Sequence, residues 1–177
     1  MNGHDGFTLL ELLVVLGIVA VLVGIGNPAL RTLALNSTRT QTVNSLVHTF
    51  HLARTSAIRN SHEVAICPRG IGDRCSRNRA GWADGWLVFV NTDRDQPAER
   101  DPDEPLLLSR PGTPGKRISS NRSSFHYRPF NRRSTNGTLV YCDDRGHAAA
   151  RAVVISYTGR PRVTDRTASG SSLDCSA

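Results

Sequence analysis

The sequence predicts an α+β chain, a long N-terminal helix leading into an antiparallel β head, and three observations carry that expectation. Phe7 to Ile25 is an apolar run interrupted by one charge, Glu11. Val43, Leu46, Phe50, Ala53 and Ala57 then recur at alternating three- and four-residue spacing, the period of a helix with one buried stripe. Beyond Ser61 the period becomes that of strands, in short runs bounded by Gly, Pro and Asp.

The apolar run is long enough to cross a bilayer: at about 1.5 Å per residue it spans roughly 28 Å, against a hydrocarbon core of about 30 Å. A cleaved secretory signal would need a basic leading region and a small-residue cleavage site. The leader Met1 to Gly6 has no Lys or Arg, and the apolar run starts abruptly after it. A kink is expected at Asn27-Pro28, since proline disfavours helical geometry before it and removes a donor. The helix then resumes, with Leu30 and Leu33 upstream of the stripe and Asn36 to Gln41 facing outward, and ends at Arg59-Asn60-Ser61. The expected division is a leader at 1–6, a helix at 7–60 (membrane-spanning over 7–27, amphipathic over 29–60) and a β-rich head at 61–177.

Within the head the expected strands are His62 to Cys67, Trp86 to Val90, Leu106 to Ser109, Ser124 to Tyr127, Thr138 to Cys142 and Arg151 to Tyr157, six or seven in all. Asn136-Gly137 is a turn signal, and Pro111 to Pro114 a loop.

Composition limits the function. A chain of 177 residues makes one ordinary domain, and with 38% apolar and 6% aromatic residues its core is aliphatic. A collagen, a low-complexity tail, a polytopic membrane protein and a large α/β enzyme are excluded. The net charge is +7, and of 22 cations only Lys116 is a lysine. Such a balance suits a polyanionic partner, although a genome rich in G and C also favours arginine codons.

Cys67, Cys75, Cys142 and Cys175 all lie beyond the apolar run. In an exported head they oxidise, and four cysteines allow three pairings. The favoured one joins Cys67 to Cys75, stapling a short loop, and Cys142 to Cys175, pinning the tail to a core strand. Arg31 and Arg39 follow the apolar run with no cation before it, which by the positive-inside rule argues for the other orientation; the leader and the cysteines together outweigh that. Zinc is disfavoured, since there is no Cys-x-x-Cys pair. The run Asp93 to Glu104 puts Asp93, Asp95 and Glu104 at positions one, three and twelve of a calcium loop. Ala98 stands where the loop needs glycine and Pro97 at a ligand position, so a solvated hairpin loop is expected. No nucleophile elbow, metalloprotease helix or phosphate-cradling glycine loop is present, so the chain is not expected to be an enzyme or to hold a cofactor.

Gly6-Phe7-Thr8-Leu9-Leu10-Glu11 resembles the processing site of type IV prepilins and type II secretion pseudopilins. The resemblance implies that a prepilin peptidase cuts after Gly6 and that Phe7 becomes an N-methylated N-terminus. Glu11 is then the fifth mature residue. A carboxylate in an apolar helix needs a cation, and the resemblance implies that Glu11 pairs with the N-terminus of a neighbouring pilin. Gly81 to Val90, GWADGWLVFV, resembles the tryptophan-rich strand of FimT/GspH minor pseudopilins. The implied fold is pilin-like: a long helix packed on a small β-sandwich-like head, anchored in the bacterial inner membrane with the head in the periplasm.

The basic charge is concentrated late. From Lys116 to the end stand eleven cations and four acids. Gly159-Arg160-Pro161-Arg162 follows the apolar run Val153 to Tyr157. Pro161 enforces an extended path, so Arg160 and Arg162 point to one side about 6.6 Å apart, a spacing suited to gripping successive phosphates. Gly159 frees the backbone to present them. The motif is similar to the Gly-Arg-x-Arg signature of FimT-type pilins, and the resemblance implies non-specific binding of the DNA phosphate backbone during natural transformation. Lys116, Arg117 and Arg151 are secondary candidates by charge. With Tyr157 the only aromatic from Arg151 onward, base stacking is not expected. The alternative is a structural subunit of a type IV pilus or type II secretion pseudopilus with no nucleic-acid ligand.

Overall fold

The computed structural model describes residues 8–79, 81–113, 115–129, 133–167 and 170–175, with the backbone alone for 25–28. The chain divides into two compact units, one ending at Thr38 and one running from Arg39. Helix α1 covers Leu9–Asn60. Thr8 starts it, its hydroxyl accepting the Glu11 N–H at 3.3 Å. The backbone stays helical through Asn27 and Pro28, where the sequence predicts a kink. Proline removes one ladder bond, and the intact turns on either side carry the helix across. In the first unit the large apolar side chains from Leu9 to Val23 are exposed, and so are Leu30 and Leu33, so the packed stripe starts later than expected, at Val43. Ser61, with φ 58°, turns the chain out of the helix.

The second unit holds two antiparallel four-stranded sheets. Its strands are β1 Val64–Pro68, β2 Gly85–Val90, β3 Leu106–Pro111, β4 Arg117–Ser120, β5 Phe125–Tyr127, β6 Gly137–Cys142, β7 Arg151–Ile155 and β8 Pro161–Thr164. The first sheet runs β3-β2-β1-β5 and the second β4-β6-β7-β8. Each expected run contains a strand. Strands β4 and β8 were not expected: both are four residues long, basic, and at a sheet edge, where hydrophobic alternation is weakest.

One core joins α1 to both inner faces. Leu46, Phe50 and Ala53 of the helix pack on Val64, Ile66 and Val88 of the first sheet and on Leu139, Tyr141 and Val153 of the second. Phe50 sits among aromatics, its ring edge-on to Phe125 with centroids 5.1 Å apart. Trp86 brings a polar atom into this core and satisfies it, its Nε1–H donating to Thr49 Oγ1 at 2.9 Å.

Each sheet also buries its other face. Ala65, Cys67, Leu87 and Phe89 pack beneath Ala98 of the 91–105 connection. Cys142, Ala150 and Ala152 pack beneath Leu173 of the tail. Disulfide Cys142–Cys175 fastens the second cover, and Cys67–Cys75 closes a short loop that packs beside the first, with Cα atoms 5.8 and 5.5 Å apart.

Candidate functional site

Gly6 and Phe7 lie outside the described residues. Glu11 stands in the first turn of α1, among exposed apolar side chains.

The Gly-Arg-Pro-Arg segment forms the turn between β7 and β8 and the start of β8. Gly159, at φ 74°, donates its N–H to the Ser156 carbonyl at 2.8 Å. Glycine is required twice over: the backbone is left-handed, and a Cβ here would collide with the Tyr127 ring. That same Tyr127 donates its hydroxyl to the Gly159 carbonyl at 2.7 Å, pinning the turn to the first sheet. The Ser156 N–H reaches the Arg160 carbonyl at 3.2 Å, and Val154 lies opposite Arg162, so the ladder runs on through both arginines. Their two-residue spacing puts both on one side of an edge strand, and both are exposed. Pro161 removes a donor from that edge.

Sequence reasoning missed a third cation here. Arg133 places its guanidinium over the Tyr157 ring, 5.8 Å from the centroid. Their separation of 24 positions left no local pattern to find.

The secondary candidates sit elsewhere. Arg117 lies opposite Cys142 and Arg151 opposite Tyr141, three register positions and about 10 Å along β7 from the residue facing Arg162. Arg151 donates to the Ala150 carbonyl at 2.7 Å and Arg39 to the Ala149 carbonyl at 3.2 Å. Burial and then the like charges of Arg151 and Arg145 hold the Arg39 guanidinium below its ordinary pKa. Asp143 answers this group: hydrogen bonds from Arg145, the shorter at 2.6 Å, keep its carboxyl below the usual carboxylate range, and Lys116 adds to that. The structure therefore brings Lys116 and Arg151 together with Arg39 and Arg145, and separates them from the hairpin.

The acidic run is occupied with its own backbone. Glu104 accepts the N–H of Thr92 at 2.6 Å and of Asp101 at 3.2 Å, Asp95 that of Glu99 at 2.8 Å, and Asp93 that of Asp95 at 3.2 Å. Among the described residues no cluster of His, Cys, Asp or Glu is placed to hold a metal ion.

A buried polar chain was also invisible in the sequence. Ser124 Oγ lies 2.9 Å from His126 Nε2, and His126 Nδ1 lies 2.9 Å from Glu63 Oε1; Arg128 donates to the other Glu63 oxygen at 2.9 Å. With Nδ1–H donated to Glu63, Nε2 accepts the Ser124 hydroxyl. Burial raises the Glu63 pKa, but the hydrogen bonds from His126 and Arg128 outweigh it, and the carboxyl titrates below its ordinary value. The connectivity is that of a Ser-His-acid relay. Ser124, however, is buried and receives the Ala98 N–H at 3.1 Å, so the chain ties the acidic connection to β5.

An exposed apolar helix that leads into a helix-backed, two-sheet head defines a pilin-type subunit. Residues 42–159 match the family model of the Type II transport protein GspH, and residues 1–26 match the prokaryotic N-terminal methylation motif. The chain belongs to the GspH family of minor pseudopilins. Two crystal forms of the type IV minor pilin FimU of Pseudomonas aeruginosa share the fold, at 16% identity and TM-scores of 0.52 and 0.54. The matches cover 71% and 75% of this chain and 91% and 92% of FimU. The comparison with curated proteins gives no match.

Proposed function

We propose that the chain is a structural minor pilin or pseudopilin, cut after Gly6, methylated at Phe7 and held in the inner membrane by the first half of α1 until it joins other pilins in a filament. In this reading 1–6 is the leader, 7–60 the helix and 61–177 a periplasmic head, and no catalytic step is involved. One observation carries it: large apolar side chains from Leu9 to Val23 stand exposed directly after the methylation motif, and need lipid or neighbouring helices to cover them. Glu11, within that surface, pairs with the N-terminus of a neighbour. Mass spectrometry of the membrane-held protein tests the reading. Cells with prepilin peptidase yield a chain lacking six residues and bearing one added methyl, and cells without it yield the full chain. Glu11→Leu lowers recovery in sheared filaments several-fold. An intact chain in both strains, absent from filaments, sinks the proposal.

The exposed Arg160 and Arg162 support a second reading, non-specific contact with DNA phosphates during DNA uptake. Tyr127, Ser156 and Gly159 fix the turn while leaving the two arginines pointing outward. Replacing both by alanine in the full-length protein removes most gel-shift activity at low salt and leaves thermal unfolding unchanged; unaltered binding refutes the assignment.

A further inference from the structure

Among the described residues every Phe, Trp and Tyr is buried except Tyr157, which is 59% exposed. A single exposed aromatic is ordinary, but its setting is not. Tyr157 begins the β7–β8 turn, three residues before Arg160, and carries the Arg133 guanidinium over its ring. The backbones of both partners are held. The Ser134 N–H donates to the Tyr157 carbonyl at 3.1 Å, and Arg128 donates to the Arg133 carbonyl at 3.4 Å. The far side of the turn is pinned by Tyr127. A ring and two exposed arginines are thus presented on one braced hairpin, with a planar cation laid over the ring from the neighbouring 133–136 segment, so that little backbone freedom remains to be lost on binding.

We propose that this hairpin is a binding site for single-stranded nucleic acid: a base stacks on the Tyr157–Arg133 pair while Arg160 and Arg162 hold the flanking phosphates. The proposal rests on the DNA reading and adds which form of DNA is taken. Phosphates are common to single strands and duplexes, so arginines alone do not choose between them. An aromatic platform does, because a base offers its face only when it has left the duplex stack. Arg133 reinforces the platform through its own planar surface and its charge over the ring. The sequence leads to the opposite expectation, that base stacking plays no part. That expectation rested on one aromatic in the tail, and the fold supplies the second planar group from the 133–136 segment.

The test uses the full-length protein in detergent micelles at low salt and three fluorescein-labelled probes of about 20 nucleotides: an oligothymidine strand, an abasic strand and a duplex. The oligothymidine strand binds roughly tenfold tighter than the abasic strand. Tyr157→Ala abolishes that difference, Tyr157→Phe keeps it, and neither changes duplex binding. Arg133→Ala narrows it. Equal affinity of the wild-type protein for the thymidine and abasic strands, or a Tyr157→Ala variant that keeps the difference, overturns stacking while leaving phosphate contact standing. A Tyr157→Ala variant that weakens all three probes equally and unfolds earlier than Tyr157→Phe makes the ring structural, which also overturns it. Absence of binding to any probe removes the DNA reading and the inference with it.

Discussion

Both sheets of the head bury two faces and cover the second with a segment from outside the strands, and the two halves of the sequence that supply them differ in charge. The first sheet lies under the 91–105 connection, with the Cys67–Cys75 strap beside it; the second lies under the C-terminal tail, closed by Cys142–Cys175. Residues 62–115 hold nine acids and seven cations, residues 116–177 four acids and eleven cations. Four of the six acids of the first cover are engaged: Asp93, Asp95 and Glu104 accept backbone N–H groups, and Glu99 meets Arg77, while Asp101 and Asp103 are exposed. Of the cations in the second half, Arg145, Arg151 and Arg166 are engaged in the same way, whereas Arg160 and Arg162 stand exposed at the edge of the second sheet. Charge of either sign can therefore serve as scaffold or as surface, and hydrogen-bond accounting, rather than net charge, tells which.

The comparison can be broken at the straps first. The tail disulfide closes a separation of 33 residues and the other a separation of 8. On chain entropy alone the Cys142→Ser, Cys175→Ser pair costs about 3.5 kcal/mol and the Cys67→Ser, Cys75→Ser pair about 2.5 kcal/mol. Urea unfolding measures both, and a larger loss from the shorter loop contradicts the idea that the tail is the cover more dependent on its strap.

The paired carboxylates come next, one per sheet. Glu63 and Asp143 both titrate below their ordinary values when folded. Each therefore stabilises the fold fully above its unfolded pKa, near 4.5 and 3.8, and that stability is lost as pH falls through the lowered folded values. Glu63→Gln leaves Arg128 and His126 without their charged acceptor and costs about 1–3 kcal/mol at neutral pH. Its stability then varies less with pH below 4.5 than the wild type's. Asp143→Asn flattens the same acid limb from the second sheet. Thermal unfolding between pH 2 and 6 reads both, and an acid limb as steep in the variants as in the wild type removes these two groups as its cause.

The smallest effect belongs to the exposed pair Arg77–Glu99, whose side chains are 83% and 50% exposed. Arg77→Ala shifts stability by less than about 0.5 kcal/mol in a thermal melt. A larger loss assigns the surface charges of the acidic cover a structural weight that the buried hydrogen bonds here claim.

Much of the architecture was legible because it is periodic. The helix, its stripe from Val43 to Ala57 and six of eight strands follow from side-chain spacing, which each segment carries on its own. Leu30 and Leu33 misled for the same reason: they keep the helical period, yet spacing says which residues share a face and not what lies opposite. Strands β4 and β8 were missed because an edge strand takes its hydrogen bonds from a neighbour and needs little apolar pattern of its own.

The candidate site was legible only in part. Arg160 and Arg162 could be found because their geometry is local, set by Gly159 and Pro161. Tyr127 could not be foreseen as the brace of that turn, nor Arg133 as the cation over Tyr157, since both arrive from β5 and the segment after it. The separation of Lys116, Arg117 and Arg151 from the hairpin was hidden likewise, because it depends on strand register across β4, β6 and β7.

By itself, then, the order of residues determined the exposed greasy helix, the motif at its front, the stripe and the strand alternation, since burial preference and backbone geometry act within a few residues of one another. The tertiary structure alone decided which charges are spent and which are left facing solvent. Hydrogen bonds such as Glu63 to His126 and Tyr127 to Gly159 join groups 63 and 32 residues apart, and only the finished packing of the two sheets on α1 brings them within 3 Å.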